Sequence, residues 1–268
     1  MYFGRFGLFV SFLLLAVPLR SKEAPQSQPP ATVQVPVFLQ QSLGALTKGM
    51  AINDVTLTGS ARRVAGSTDE TGTATLQALT TGETRVGWSF PSGVQTEILT
   101  NSVNGPAGQW IGPDGTSQII PQHNLFIDPA WFFPALLIYR ATSSQSSVLI
   151  DVGSEVRDGQ PVEHLTMSQQ FPGTTTSISA LMQHLSETEL YVDPSSLLPV
   201  AIAFKIHPDK NVLRDIPAEI RFSDYRIVSG AQVPFHVQRY VSGVLTLDLQ
   251  FQTVALNTGL APSVVTAP

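Results

Sequence analysis

The strongest constraint on this chain is a two-residue rhythm that recurs from Asp54 to Phe251. In Asp54–Arg62, Val55, Leu57, Gly59 and Ala61 face one way while Thr56, Thr58, Ser60 and Arg62 face the other. That alternation marks a strand with one buried face. It returns in Gly72–Leu79, Thr84–Phe90, Val94–Thr100, Val148–Val152, Val162–Gln170, Val200–Ile206, Ala218–Ile227, Val233–Val241 and Leu245–Phe251. Thr81-Gly82, Asp114-Gly115, Asp158-Gly159, Ser229-Gly230 and Ser242-Gly243 supply the positive φ that tight hairpins demand. Strands joined by hairpins are antiparallel neighbours. No helices of βαβ length separate them, which argues against a doubly wound fold. The expectation is a mainly β, α+β fold: an antiparallel sheet of about 9–11 strands, a width at which an open sheet curls.

Three segments break the rhythm. Val37–Met50 places Phe38, Leu39, Leu43, Leu46 and Met50 at helical spacing, weakened by Gly44. Ser177–Leu185 does the same with Ile178, Leu181, Met182 and Leu185. Asp128–Arg140 opens on Asp-Pro, a helix cap followed by proline at the first helical position. It then gathers Trp131, Phe132, Phe133, Leu136, Leu137, Ile138 and Tyr139, and Leu125, Phe126 and Ile127 extend the apolar patch upstream. Apolar residues around nearly the whole circumference require shielding on every side.

Phe6–Leu19 is an uncharged run of fourteen residues after Arg5. It is shorter than the ~20 apolar residues of a bilayer span and suits a signal-peptide core. The expected organisation is a signal peptide over 1–22 and a Pro-rich linker over 23–36. A single curved-sheet domain follows over 37–260, then a flexible tail over 261–268. Cleavage near Ser21 or Ala24 and retention as an anchor are both open. The chain has no cysteine, which excludes disulfides, zinc-thiolate sites and thiol catalysis. A net charge of −5 argues against nucleic-acid binding.

Catalytic motifs are missing: the chain carries no H-E-x-x-H, G-x-S-x-G, P-loop or G-x-G-x-x-G pattern. His123, His164, His184, His207 and His236 are scattered without ligand-like spacing, so no metal and no cofactor is expected. Asp224-Tyr225-Arg226 reads as a cross-strand ion pair. A Ser/His/acid triad would have to be assembled from distant positions.

The order of these pieces resembles the outer-membrane lipoprotein-sorting carriers and their LolA-like, LppX-like and anti-sigma-regulator (RseB-like) half-barrel relatives. The resemblance is carried by Gly72-x-Ala74-x-Leu76, Arg85-x-x-Trp88-x-x-Pro91, Gln109-Trp110 with Asp114-Gly115, and Phe132-Phe133-x-x-Leu136-Leu137. Leu190-x-Val192-Asp193, Leu198-Pro199-Val200, Phe222-x-Asp224-Tyr225-Arg226 and Gly230-x-x-Val233-Pro234-Phe235 complete it. It implies a strongly curved sheet, a half-barrel, wrapped around two or three helices. It also implies an exported, non-catalytic protein, periplasmic or secreted, that holds a lipid or lipoprotein acyl chains in a concavity under a helical plug. The cavity candidates are Trp88, Phe90, Ile98, Trp110, Trp131, Phe132, Leu136 and Leu137. Trp88, Trp110 and the Phe132–Leu137 helix carry the family-like context, and strand alternation adds the others. The alternative is a structural or interaction domain of the same fold with its concavity filled. A monomer is expected, and no envelope partner can be named.

Overall fold

Alternation and hairpin turns produce thirteen strands among the described residues, all in one antiparallel sheet. The computed structural model describes residues 36–102 and 105–266, which belong to one compact unit. The expectations for 1–22 and most of the linker therefore lie outside the described residues. Strands β1 (Asp54–Ala65), β2 (Thr68–Leu79), β3 (Thr84–Phe90), β4 (Gly93–Ser102), β5 (Gly105–Ile111) and β6 (Ser117–Ile119) form one meander. Strands β7 (Ser147–Arg157), β8 (Gln160–Gln169), β9 (Thr188–Val192), β10 (Pro199–Ile206), β11 (Ile216–Val228), β12 (Ala231–Val241) and β13 (Val244–Leu256) form the other. The meanders join where β1 pairs with β13, leaving β6 and β7 as the two edges. The sheet is wider than expected because β5, β6 and β9 are short or polar pieces that strict alternation passes over.

Helices α1 (Val37–Thr47), α2 (Pro134–Ser143), α3 (Thr176–Leu185) and α4 (Pro262–Val265) accompany the sheet. The topology gives α2 its place: the chain leaves edge strand β6 and must reach the opposite edge, β7, so its connection crosses the sheet. The helix does not begin at Asp128 as the Asp-Pro pair suggests. Pro134 has no N–H, and its ring disfavours helical geometry in the preceding residue. The helix accordingly starts with Pro134 in its first turn and with Phe133, at φ −136° and ψ 89°, as its non-helical cap. Where a flexible tail was expected from residue 261, α4 forms a helical turn and fully buries Val265.

One face of the sheet is predominantly apolar. Leu57 lies opposite Leu76 of β2 and Val254 of β13, and Ala61 opposite Leu249. Further round, Val237 lies opposite Leu249 and Phe222, Ile202 opposite Ile220 and Leu190, and Leu165 opposite Leu190. These side chains share a single core with α1 and α2. Bulges at Thr58/Gly59, Asp151/Gly153, Pro199/Ala201 and Arg239/Tyr240 bend the ladder. At the first, Gly59 is required because an added Cβ would stand 2.1 Å from the Gln250 carbonyl oxygen. The bend is large. Strands β4 and β9 are eight steps apart in the sheet, about 38 Å if it were flat. Leu99 of β4 and Thr188 of β9 nonetheless line one cleft. This open, curved sheet around helices is the expected α+β half-barrel. No helix among the described residues is long and apolar enough to cross a membrane.

Candidate functional site

The crossover fills the cup. Phe132, Phe133 and Ile138 have no exposed surface, and Leu136 and Leu137 almost none. Trp131 meets Phe132 edge to face, with ring centres 5.5 Å apart. Arg140, at the polar end of α2, fastens the crossover. Its Nε donates to Asp128 Oδ2 at 2.8 Å, its Nη2 to Asp128 Oδ1, and its Nη1 to the Leu79 carbonyl at 3.0 Å. Asp128, expected as a helix cap, instead accepts from the Ala130 amide and from this guanidinium.

The eight cavity candidates do not form one surface. Trp88 and Phe90 lie on the concave face and stack at 6.5 Å. Trp131, Phe132, Leu136 and Leu137 belong to the same core. Ile98 is buried but lies opposite Arg85 and Gln109, whereas Val86 and Trp88 face Glu97 and Gln95. Ile98 therefore occupies the convex face, and the glutamate beside it points into the cup. Trp110, opposite Glu97, is on the concave side but 37% exposed.

A cleft with apolar walls suited to a ligand lies beside the plug. A cleft of about 490 Å³ runs between α2, the 124–129 segment and both wings of the sheet. Leu99, Leu125, Phe126, Leu137, Met167 and Phe171 give it apolar walls, while Asn101, Ser144 and Ser168 add polar groups. Phe126 and Phe171 close one side edge to face at 5.4 Å. Gly108 is a close-approach position: a Cβ there would stand 2.6 Å from Leu99 and 2.8 Å from Leu125. Of the eight candidates only Leu137 lines this cleft. Its sequence signal was Leu125-Phe126-Ile127, which reads as an extension of the apolar patch rather than as a wall of its own.

Charges also enter the concavity. Arg63 and Arg239 flank Leu247 on the concave face from the strands either side of it. Arg63 pairs with Glu70, donates to Gln95 Oε1 at 2.7 Å and lies 4.8 Å from the Phe90 ring centre. Among the described residues Arg239 makes no comparable ion pair: it stands 5.8 Å from the Trp131 ring centre, and its buried Nε has no hydrogen-bond partner there. Burial pushes the Glu97 carboxyl up to about 7, against the pull of the Arg239 charge. Burial also lowers Arg239 from its ordinary range, opposed by Glu97.

Two polar clusters lie outside the cup. Ser223 Oγ is 3.0 Å from His236 Nδ1, and His236 Nε2 is 2.9 Å from Asp248 Oδ1. These residues stand on neighbouring strands, and Asp248 also accepts from Gln238 at 2.9 Å. Ester hydrolysis needs preorganised donors for an oxyanion as well. Ser223 and His236 sit opposite each other within a paired ladder, so the trio reads as a cross-strand polar network. Nearby, Asp224 and Arg226 do form an ion pair, but along one strand rather than across two, at a residue with φ 54°. The second cluster gathers His184, His207 and Asp215, which the sequence leaves scattered. His184 Nε2 and His207 Nε2 lie 3.0 and 3.1 Å from the same Asp215 oxygen. Burial lowers the His207 pKa against the raising effect of Asp215, and the His207 Nδ1 has no partner.

No family model matches the chain, and no curated protein matches it in sequence. Solved structures match its fold. A LolA superfamily protein from Nitrosomonas europaea superposes with TM-score 0.54 at 12% identity, covering 88% of this chain and 98% of that one. A DUF1329 family protein from Desulfovibrio piger gives 0.55 at 11% identity, covering 86% and 95%. A candidate outer-membrane lipoprotein-sorting protein domain from Vibrio parahaemolyticus gives 0.53 at 11%, covering 85% and 94%. The fold is thus that of the LolA-like half-barrels along most of the chain.

Proposed function

We propose that this chain is an exported, non-catalytic binding protein that takes an apolar chain, of a lipid or a lipoprotein, into the cleft beside α2. The observation that carries the reading is the cleft itself. Its volume of about 490 Å³ falls within the usual range for small-molecule sites, and apolar side chains from both wings and α2 converge on it. Burying ten methylenes there would contribute about 8 kcal/mol before the entropic costs of binding. The half-barrel fold supports the reading, since one protein sharing it is described as a candidate for sorting lipoproteins at the outer membrane. The apolar run Phe6–Leu19 supports export to the periplasm or beyond. Trp131, Phe132 and Leu136 lie in the packed core rather than in the cleft wall, and a deeper site would require the crossover that carries them to move away from the sheet.

Native mass spectrometry of protein purified from its own envelope, before and after organic extraction, tests this. Loss of a lipid-sized mass on extraction is expected, together with loss of that adduct in Leu137→Asp. An identical bare mass in both samples would refute the proposal. It would favour the second reading, a structural domain with a filled cup, for which the complete burial of Phe132 and Phe133 speaks.

A further inference from the structure

The cluster at His184, His207 and Asp215 is built from three separate places in the chain. His184 sits in the last turn of α3, His207 directly follows β10, and Asp215 directly precedes β11. Their donor atoms all lie within 4.8 Å of one another. Two of the three separations, 3.0 and 3.1 Å, are near the edge of about 3.3 Å between ligands of a tetrahedral zinc ion. A third imidazole, His123, stands edge-on to His207 with ring centres 6.2 Å apart.

The support around the donors is also in place. His207 is almost wholly enclosed, while His184 and Asp215 keep more than a third of their side chains exposed, so an ion could reach the site. Asn124 grips the His207 backbone from both sides, its Nδ2 donating to the carbonyl at 2.9 Å and its Oδ1 accepting from the amide at 3.1 Å. Lys205, the nearby cation that also acts on Asp215, is engaged with Glu187 at 3.2 Å. Two imidazoles and one carboxylate suit zinc-class transition ions rather than calcium or magnesium, which prefer all-oxygen sets.

We infer that His184, His207 and Asp215 form a binding site for a zinc-class divalent ion, with a fourth position open to water or an outside ligand. The site borders the cleft, since Asn124 and Ser186 line that cleft and neighbour His123 and His184 in sequence. A bound ion would tie α3 to the β10–β11 connection. The inference stands on the donor geometry and does not depend on the ligand of the cleft.

The test uses the whole protein as purified, stripped with chelator and dialysed against Zn²⁺, with metal content measured per chain. Co²⁺ provides an optical readout, because tetrahedral coordination gives intense visible bands. The expected result is one ion per chain and a tetrahedral Co²⁺ spectrum. His184→Ala and Asp215→Asn should each weaken Zn²⁺ binding by about 100-fold or more. His184→Ala removes a partly exposed ring, so folding should survive, and circular dichroism verifies it. His236→Ala, remote from the cluster, should bind as the parent does. Substoichiometric zinc in the parent, or equal affinity in the parent and His184→Ala, would overturn the assignment.

Discussion

Replacing Glu97 by glutamine should remove a pH-dependent cost of folding. Burial raises the Glu97 carboxyl from 4.5 to about 7 even though the Arg239 charge opposes the rise. At about 1.4 kcal/mol per pH unit, the native state pays about 3 kcal/mol to ionise this group. Below pH 4.5 the carboxyl is protonated whether the chain is folded or not, and nothing is lost. Between pH 4.5 and 7 the unfolded chain releases the proton while the folded one keeps it, so stability falls as pH rises. Above 7 both forms are ionised and the loss levels off. Glutamine cannot ionise, so the variant escapes the whole slope. Urea denaturation of parent and Glu97→Gln at pH 5 and pH 8 isolates the effect, because every other titrating group is common to both. The stability difference between the two proteins should change by about 2.5 kcal/mol in the variant's favour from pH 5 to pH 8, part of the cost being present already at pH 5. A difference that stays constant within about 1 kcal/mol would refute the claim that this carboxyl is held away from water.

Phe133→Ala opens a void at a fully buried position of the crossover and should cost about 3–5 kcal/mol in denaturant unfolding. Asp54 accepts hydrogen bonds from the amides of Thr258, Gly259 and Leu260 and the Thr258 hydroxyl, and these hold its carboxyl below the usual range against the cost of burial. Asp54→Ala should therefore raise amide exchange at 258–260, and the stability it removes should be that which the parent loses as pH falls through the depressed carboxyl pKa. Arg140→Met should speed exchange of the α2 amides relative to β1, since it cuts the ties to Asp128 and Leu79; unchanged exchange would show that packing alone holds the crossover. Ser223→Ala should change stability by less than about 1 kcal/mol, and the parent should show no hydrolysis of a chromogenic ester; turnover that disappears in the variant would convert the polar trio into an active site.

Sequence alone determined the local structure, because a strand's two faces and a helix's apolar circumference are written in residue spacing. Asp54–Arg62 and Val233–Val241 had to be strands with one wet face, and the residue-Gly pairs had to turn them back on themselves. The stretch around Phe132 had to be covered on every side. Tertiary structure decided which face was inside and what met across the fold. On β4, hydrophobicity favours Ile98 for the interior, but pairing with β3 turns Glu97 inward, since register binds the whole strand and cannot yield to one side chain. Pro134 likewise moved the start of α2 past an apparently adequate cap. The cleft needs β4 brought round to β9, and the histidine cluster needs α3 laid beside the β10–β11 connection. Neither leaves a short-range pattern, because distances between residues far apart in the chain are set by how the whole sheet bends.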